Sequence, residues 1–190
     1  MRILLETERI RLRAFTKDDV DLLYELNSDP EVMRYLDGEP TPYEEIRDKV
    51  LPRYLWFYET YENYGYWAAI EKSSEEFMGW FLFRLAPDSQ SHYHPEIHRE
   101  DDVELGYRFR KKFWGRGYAT EGSKCIVAKG FSEWKLPRII AAAMEANTAS
   151  LRVMEKVGLR EMTRYFDEGL NTTIVQCVLT REEYLEQNGL

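Results

Sequence analysis

Glu104-Leu-Gly-Tyr-Arg-Phe-Arg-Lys-Lys-Phe-Trp-Gly-Arg-Gly-Tyr-Ala-Thr-Glu121 is the stretch on which the fold turns. Just before and into it, Val103, Leu105, Tyr107 and Phe109 alternate with Glu104 and Arg108, the two-residue period of a strand with one buried face. From Ala119 to Trp134 the apolar residues Ala119, Ile126, Val127, Phe131 and Trp134 recur at helical spacing. Between them lies a basic turn containing Gly115 and Gly117. The first amides of a helix have no intrahelical partner, and the helix dipole adds positive potential there. Gly115 and Gly117 let a backbone approach an anion closely, and Arg108, Arg110, Lys111, Lys112 and Arg116 are expected to concentrate five cations around it. A diphosphate fits such a place. The segment lacks the third glycine of the dinucleotide fingerprint and the Gly-Lys-Ser/Thr of a phosphate-binding P-loop. A turn that merely joins strand to helix is the competing reading of the glycines alone.

Working outward, Ile10, Leu12 and Ala14 alternate with Arg11 and Arg13 as a first strand. Thr16 then caps a helix carrying Val20, Leu22, Leu23 and Leu26. A second helical region opens at Thr41-Pro42 and carries the aromatic run Tyr54 to Tyr61, with Pro52 expected to break or kink it. Tyr66 to Ile70 and Phe77 to Leu85 read as strands, and a polar insertion spans Pro87 to Asp102. After the central segment, Ile139 to Met144 reads as a buried strand. Thr148 to Val157 reads as a short helix ended by Gly158, and Arg164 to Phe166 and Thr172 to Leu179 as closing strands. This order implies an α/β (α+β) fold with a mixed, mostly antiparallel central sheet flanked by helices, in a single domain over residues 1–190.

The chain has 190 residues, 44% hydrophobic and 32% charged, which supports a core without disulfides or metals. Its net charge of -8 argues against a general nucleic-acid binder and favours cationic partners. The longest aliphatic stretch, Ile139 to Met144, is far shorter than the roughly 20 residues of a membrane span. Only Cys125 and Cys177 occur. These features point to a cytoplasmic protein of reduced thiols, without membrane or nucleic-acid partners.

Lys112-x-x-Gly115-x-Gly117 resembles the acetyl-CoA diphosphate loop of the GNAT superfamily of N-acetyltransferases. The longer string from Glu104 to Glu121 resembles the branch that acetylates the N-termini of ribosomal proteins. So do Thr7-Glu-Arg-Ile-Arg-Leu-Arg, Asp29-Pro-Glu-Val-Met33, Asn147-x-x-Ser150 and the ending Leu179-Thr-Arg-Glu-Glu-Tyr184. The resemblance implies acetyl-CoA as co-substrate, no metal, and direct transfer of the acetyl group to a primary amine in a ternary complex. The amine belongs to a protein N-terminus or a cationic small molecule. It also implies cofactor contacts from Tyr107, Arg108, Phe109, Lys112, Gly115, Arg116, Gly117, Tyr118, Ala119 and Asn147.

Within that chemistry an acceptor amine, of pKa about 8 to 10, must lose a proton, and Glu104 is the candidate base. The oxyanion donor implied by the family is a backbone N–H near Tyr107 or Arg108. Most of the superfamily has a Tyr seven residues after the Asn, to protonate the leaving thiolate; here that position is Met154, and Ser150 is the candidate in its place. Capping of the short helix is the competing reading of Asn147 and Ser150, and a strand carboxylate paired with a neighbour that of Glu104. Lys112 stands where Arg or Gln is usual, keeping charge without the planar fork. The Met154 departure motivates an alternative function, a CoA-binding regulatory module without turnover.

His92, His94 and His98 could in principle ligate a metal, but a solvated loop without cysteines is the simpler reading. Tyr54, Phe57 and Tyr61, at i, i+3 and i+7, read as helix core rather than as a cation cage. Cys125 and Cys177 read as packing residues. Both monomer and homodimer remain open.

Overall fold

The computed structural model describes residues 2–36, 38–86 and 99–189. Its sheet has eight strands: β1 (Ile3–Glu6), β2 (Ile10–Ala14), β3 (Gly65–Glu71), β4 (Phe77–Leu85), β5 (Val103–Phe109), β6 (Arg138–Met144), β7 (Arg160–Asp167) and β8 (Thr172–Thr180). They lie in the order β1-β2-β3-β4-β5-β6-β8-β7. β5 and β6 run parallel, over Val103↔Ile139 and Glu104↔Ile140, while β1–β2, β2–β3, β3–β4, β6–β8 and β7–β8 are antiparallel. The helices are α1 (Val20–Asn27), α2 (Pro30–Met33), α3 (Tyr43–Glu45), α4 (Leu51–Thr60), α5 (Tyr118–Ser132), α6 (Thr148–Val157) and α7 (Arg181–Asn188). The mixed, mostly antiparallel sheet flanked by helices is the architecture expected from the order of periodic segments.

The chain packs as two compact units, Met1–Phe83 with Tyr107–Gly122, and Arg84–Gly106 with Ser123–Leu190. In the first, alternation decides which side chains meet which helices. Tyr66, Ala68 and Ile70 of β3 and Trp80 and Leu82 of β4 face Leu23 and Leu26 of α1 and Tyr54 and Phe57 of α4 in one core cluster. Tyr54 stacks on Tyr66 with ring centroids 3.6 Å apart, Phe57 is fully buried and Tyr61 packs against them, so these three serve as core, while Trp56 is exposed. Phe81 turns to the opposite face, where α5 lies so close that a Cβ on Gly122 would meet the Phe81 ring at 2.2 Å.

Pro52 does not end the second helical region. Residues Ile46–Val50 widen into a π-helical turn in which Leu51 N–H donates to the Ile46 carbonyl, and α4 runs through the proline. A wider turn accommodates a residue that lacks N–H and crowds the carbonyl four residues back. β1 was not expected, because Ile3-Leu-Leu-Glu6 lacks clear alternation; it is an edge strand of intermediate and exposed residues.

In the second unit Ile140 and Val178 pack with Ala86, and Ala142 and Met162 lie against them. Ala142 pairs with Gln176, which therefore shares that face; Gln176 is fully buried and neither polar atom of its amide has a hydrogen-bond partner among the described residues. Buried Arg138 donates Nε–H to buried Asp102 at 2.5 Å, tying the start of β6 to the entry of β5. Gly158 ends α6 in the left-handed region at φ 98°, as its position predicted. α7 was missed as a helix, although Thr180 and Glu183 form a reciprocal capping box at its start. Its Tyr184 packs on Phe131, ring centroids 4.9 Å apart.

Candidate active site

The turn between β5 and α5 belongs to the first unit. A short 3-10 turn, Lys111–Phe113, follows β5, and Trp114 donates Nε1–H to the Phe109 carbonyl at 2.7 Å. Gly115 and Gly117 then sit at φ 71° and 83°, left-handed conformations that glycine adopts without strain. Both are exposed, and α5 begins at Tyr118, with Glu121 N–H donating to the Gly117 carbonyl at 3.0 Å. The N–H groups ahead of Glu121 at the head of α5 have no intrahelical acceptor. Left-handed residues on either side of Arg116, followed by unpaired helix amides, are the backbone pattern of an anion nest, and a Cβ on Gly115 would meet nothing within 4 Å. These residues fit a diphosphate.

The five basic side chains do not crowd this nest as expected. Each turns onto a neighbour. Arg110 pairs with Glu25, Lys111 with Glu31 at 2.5 Å, Lys112 with Glu76 at 2.8 Å and Arg116 with Glu71 at 3.3 Å. Arg108 donates to Asn27 Oδ1 and lies over the Trp80 ring at 5.0 Å. An acidic chain supplies a carboxylate to almost every cation, so amides and the α5 dipole are left as the main anion-attracting groups. Lys112 and Arg116 are half exposed, and such pairs are weak enough to exchange partners.

Two carboxylates brace the loop, and neither was singled out from the sequence. Glu71, at the end of β3, accepts from the Tyr118 hydroxyl, from Ser74 Oγ at 2.7 Å and from Arg116. The Tyr118 hydroxyl, then Ser74, hold the Glu71 carboxyl below the usual range, and Glu71 in turn raises the Tyr118 phenol. Glu121, in the first turn of α5, accepts from Thr7 Oγ1, from Arg9 N–H at 3.1 Å and from Arg9 Nε at 2.6 Å. Burial alone would raise Glu121, but the hydrogen bonds from Thr7 and Arg9 more than reverse it. Long-range partners such as Arg9 leave no local spacing signal.

Just past β5, Arg110 N–H donates to the Met78 carbonyl at 2.8 Å, and on β5 the Arg108 carbonyl faces Gly79, where a Cβ would come within 2.0 Å of it. With alternate residues facing opposite edges, the Tyr107 and Phe109 amides point away from β4.

Glu104 lies in the second unit and is buried rather than solvent-facing. It accepts from Arg84 Nε at 2.8 Å, the two side chains being 9% and 5% exposed. Asn147 caps α6, its Oδ1 accepting the Ser150 N–H at 3.2 Å, and Met154 is buried. Among the described residues no group of His, Cys, Asp and Glu could hold a metal; His92, His94 and His98 lie outside them. No helix among the described residues is long and apolar enough to cross a membrane. Cys177 is buried, its thiol pushed up to about 11 by burial, and Cys125 is partly exposed.

Residues 9–160 match the acetyltransferase (GNAT) domain. The chain belongs to the GNAT acetyltransferase family and is an acetyl-CoA-dependent N-acetyltransferase. It is 30% identical over 191 residues to the FsC-acetyl coenzyme A-N(2)-transacetylase of Aspergillus fumigatus, covering 95% of this chain and 77% of that one. It is 33% identical over 160 residues to the uncharacterized protein YkkB of Bacillus subtilis, covering 82% and 84%. Among solved structures, a GNAT-family acetyltransferase from Bacillus anthracis superposes with a TM-score of 0.73 at 27% identity, covering 96% and 99%. The aminoglycoside acetyltransferase AAC(6')-Ib, solved with coenzyme A, shares the fold at a TM-score of 0.75 and 19% identity, covering 95% and 99%.

Proposed function

We propose that the chain transfers the acetyl group of acetyl-CoA directly to a primary amine, with Gly115 to Ala119 holding the diphosphate. The observation that carries this reading is the exposed turn at the head of α5, where Gly115 and Gly117 take left-handed conformations and the basic and aromatic side chains are folded onto Glu71 and Glu76. When bound, acetyl-CoA supplies the thioester. Glu104 takes the ammonium proton, the amine nitrogen bonds to the acetyl carbon, and the carbon–sulfur bond breaks. The Tyr107 amide, turned away from β4, meets the charge developing on the thioester oxygen. Ser150 returns a proton to the thiolate, since Met154 offers none. Asn147 caps with its oxygen, and its amide nitrogen serves the pantetheine chain. Tyr107 to Phe109 contact that chain through their backbone, and Lys112, Arg116 and Tyr118 flank the phosphates.

The acceptor is a protein N-terminus, as in the ribosomal branch, or a cationic small molecule. The net charge of -8 supports a cationic acceptor. Related structures contain aminoglycosides alongside the cofactor, which supports the small-molecule arm. The free thiols of Cys125 and Cys177 support a reducing, cytoplasmic setting. The family match, running through both units, supports one domain.

Thermal stabilisation by acetyl-CoA tests binding, and release of free thiol across a panel of amines tests transfer. Stabilisation without release for any amine favours a module without turnover, which the buried Met154 supports. Release only with N-terminal peptides assigns the protein-directed reaction. No stabilisation at all overturns the diphosphate site.

A further inference from the structure

We infer that Arg9, in the turn between β1 and β2, is a positioning residue that sets the direction of the Gly117 N–H in the diphosphate nest. The inference rests on reading that nest as the acetyl-CoA site. Arg9 grips α5 side-on, Nε and Nη2 meeting Glu121 Oε2 at 2.6 and 2.5 Å, while its own backbone N–H reaches Glu121 Oε1. Its remaining arm, Nη1, donates to the Arg116 carbonyl at 3.1 Å. The guanidinium lies over the Tyr118 ring at 4.4 Å, so its plane is fixed from three sides.

The consequence follows from peptide planarity. The carbonyl of Arg116 and the N–H of Gly117 belong to one trans peptide and point in opposite directions. With the carbonyl held on the Arg9 side, the Gly117 N–H is turned away from Arg9. Gly117 itself is exposed, and a Cβ there would face Arg9 Nη2 at 3.6 Å. Without Arg9, glycines at 115 and 117 leave this peptide free to flip, and ordering it becomes a cost of binding. Arg9 acts through geometry rather than charge, because Glu121 already neutralises it. Lys at this position keeps the charge and loses the fork that reaches carboxylate and carbonyl together.

The test compares the wild-type chain with Arg9→Lys, Arg9→Met and Glu121→Gln. Acetyl-CoA affinity is read by calorimetry, and kcat and both KM values by thiol release. Arg9→Lys and Arg9→Met are each expected to raise the acetyl-CoA Kd and KM by about tenfold, the scale of one hydrogen bond to a charged group. Glu121→Gln, which loosens the grip on Arg9, raises them by a smaller factor. The amine KM and kcat at saturation stay within about twofold of wild type, a split that general distortion of the fold would not give. Wild-type affinity in Arg9→Lys overturns the inference by showing that charge suffices, and an amine KM that rises in step overturns it by showing a global effect. A wild-type chain that binds no acetyl-CoA overturns the diphosphate reading beneath it. Tight wild-type binding with unchanged affinity in all three variants overturns this inference alone.

Discussion

Replacing Glu104 separates its proposed proton transfer from its structural role. It meets Arg84 at 2.8 Å with both side chains nearly out of solvent. Removing one member of a buried ion pair costs about 3–5 kcal/mol, whereas replacing both by apolar groups of similar volume is often neutral. Losing a positioned base costs about 10²- to 10⁴-fold in rate. Glu104→Gln is therefore expected to lower the unfolding free energy in urea by a few kcal/mol and kcat/KM by at least about a hundredfold. The double variant Arg84→Met/Glu104→Met should recover most of the stability and none of the activity. Thiol release at saturating acetyl-CoA, followed from neutral to mildly alkaline pH, reads the second quantity. Wild-type acetyl-CoA affinity in both variants confirms that the cradle is intact. Recovery of more than about a tenth of the wild-type rate by the double variant refutes the assignment of Glu104 as base.

Gly117→Val forces a β-branched residue to φ 83°, and should raise the acetyl-CoA Kd by about tenfold or more while the circular dichroism spectrum is unchanged; unaltered affinity counts against the cradle. Glu121 and Glu71 are both held below their usual 4.5, so each adds stability above that value and loses it as pH falls through the lowered one. The unfolding free energy should hold from neutral pH to about pH 5 and then decline, less steeply in Glu121→Gln; equal declines refute the brace. Gln176→Met removes two buried polar atoms without a partner among the described residues and should raise the unfolding free energy by about 1 kcal/mol; destabilisation means that the amide is satisfied in solution. A thiol reagent at pH 8 or so should label Cys125 ahead of Cys177, whose thiol stands at about 11; equal rates refute its burial.

The elements with a strict period were legible before any coordinates. Val103–Phe109, Phe77–Leu85 and Thr148–Val157 have the expected bounds, because alternation, an unbroken apolar and aromatic run and a C-terminal glycine are local signals. Ile3–Glu6 was not, since an edge strand with little burial carries no pattern. The effect of Pro52 was misjudged because a widened turn is invisible in residue types. At the site, Gly115 and Gly117 marked the turn, but their left-handed conformations, at φ 71° and 83°, are seen only in the folded chain. The cations were read as converging, because composition cannot show that Glu25, Glu31, Glu71 and Glu76 would each claim one. Arg9 and Glu121 are 112 residues apart, so only the folded chain reveals that they meet.

The parallel ladder between β5 and β6 carries a kinetic consequence. Hairpins such as β3–β4 zip through a short turn, but Val103 can meet Ile139 only once the intervening chain has coiled into α5 and returned. Closing so long a loop is expected to come late on the folding route. Slow refolding phases should accordingly be sensitive to substitutions along α5 and β6, and indifferent to those in β1.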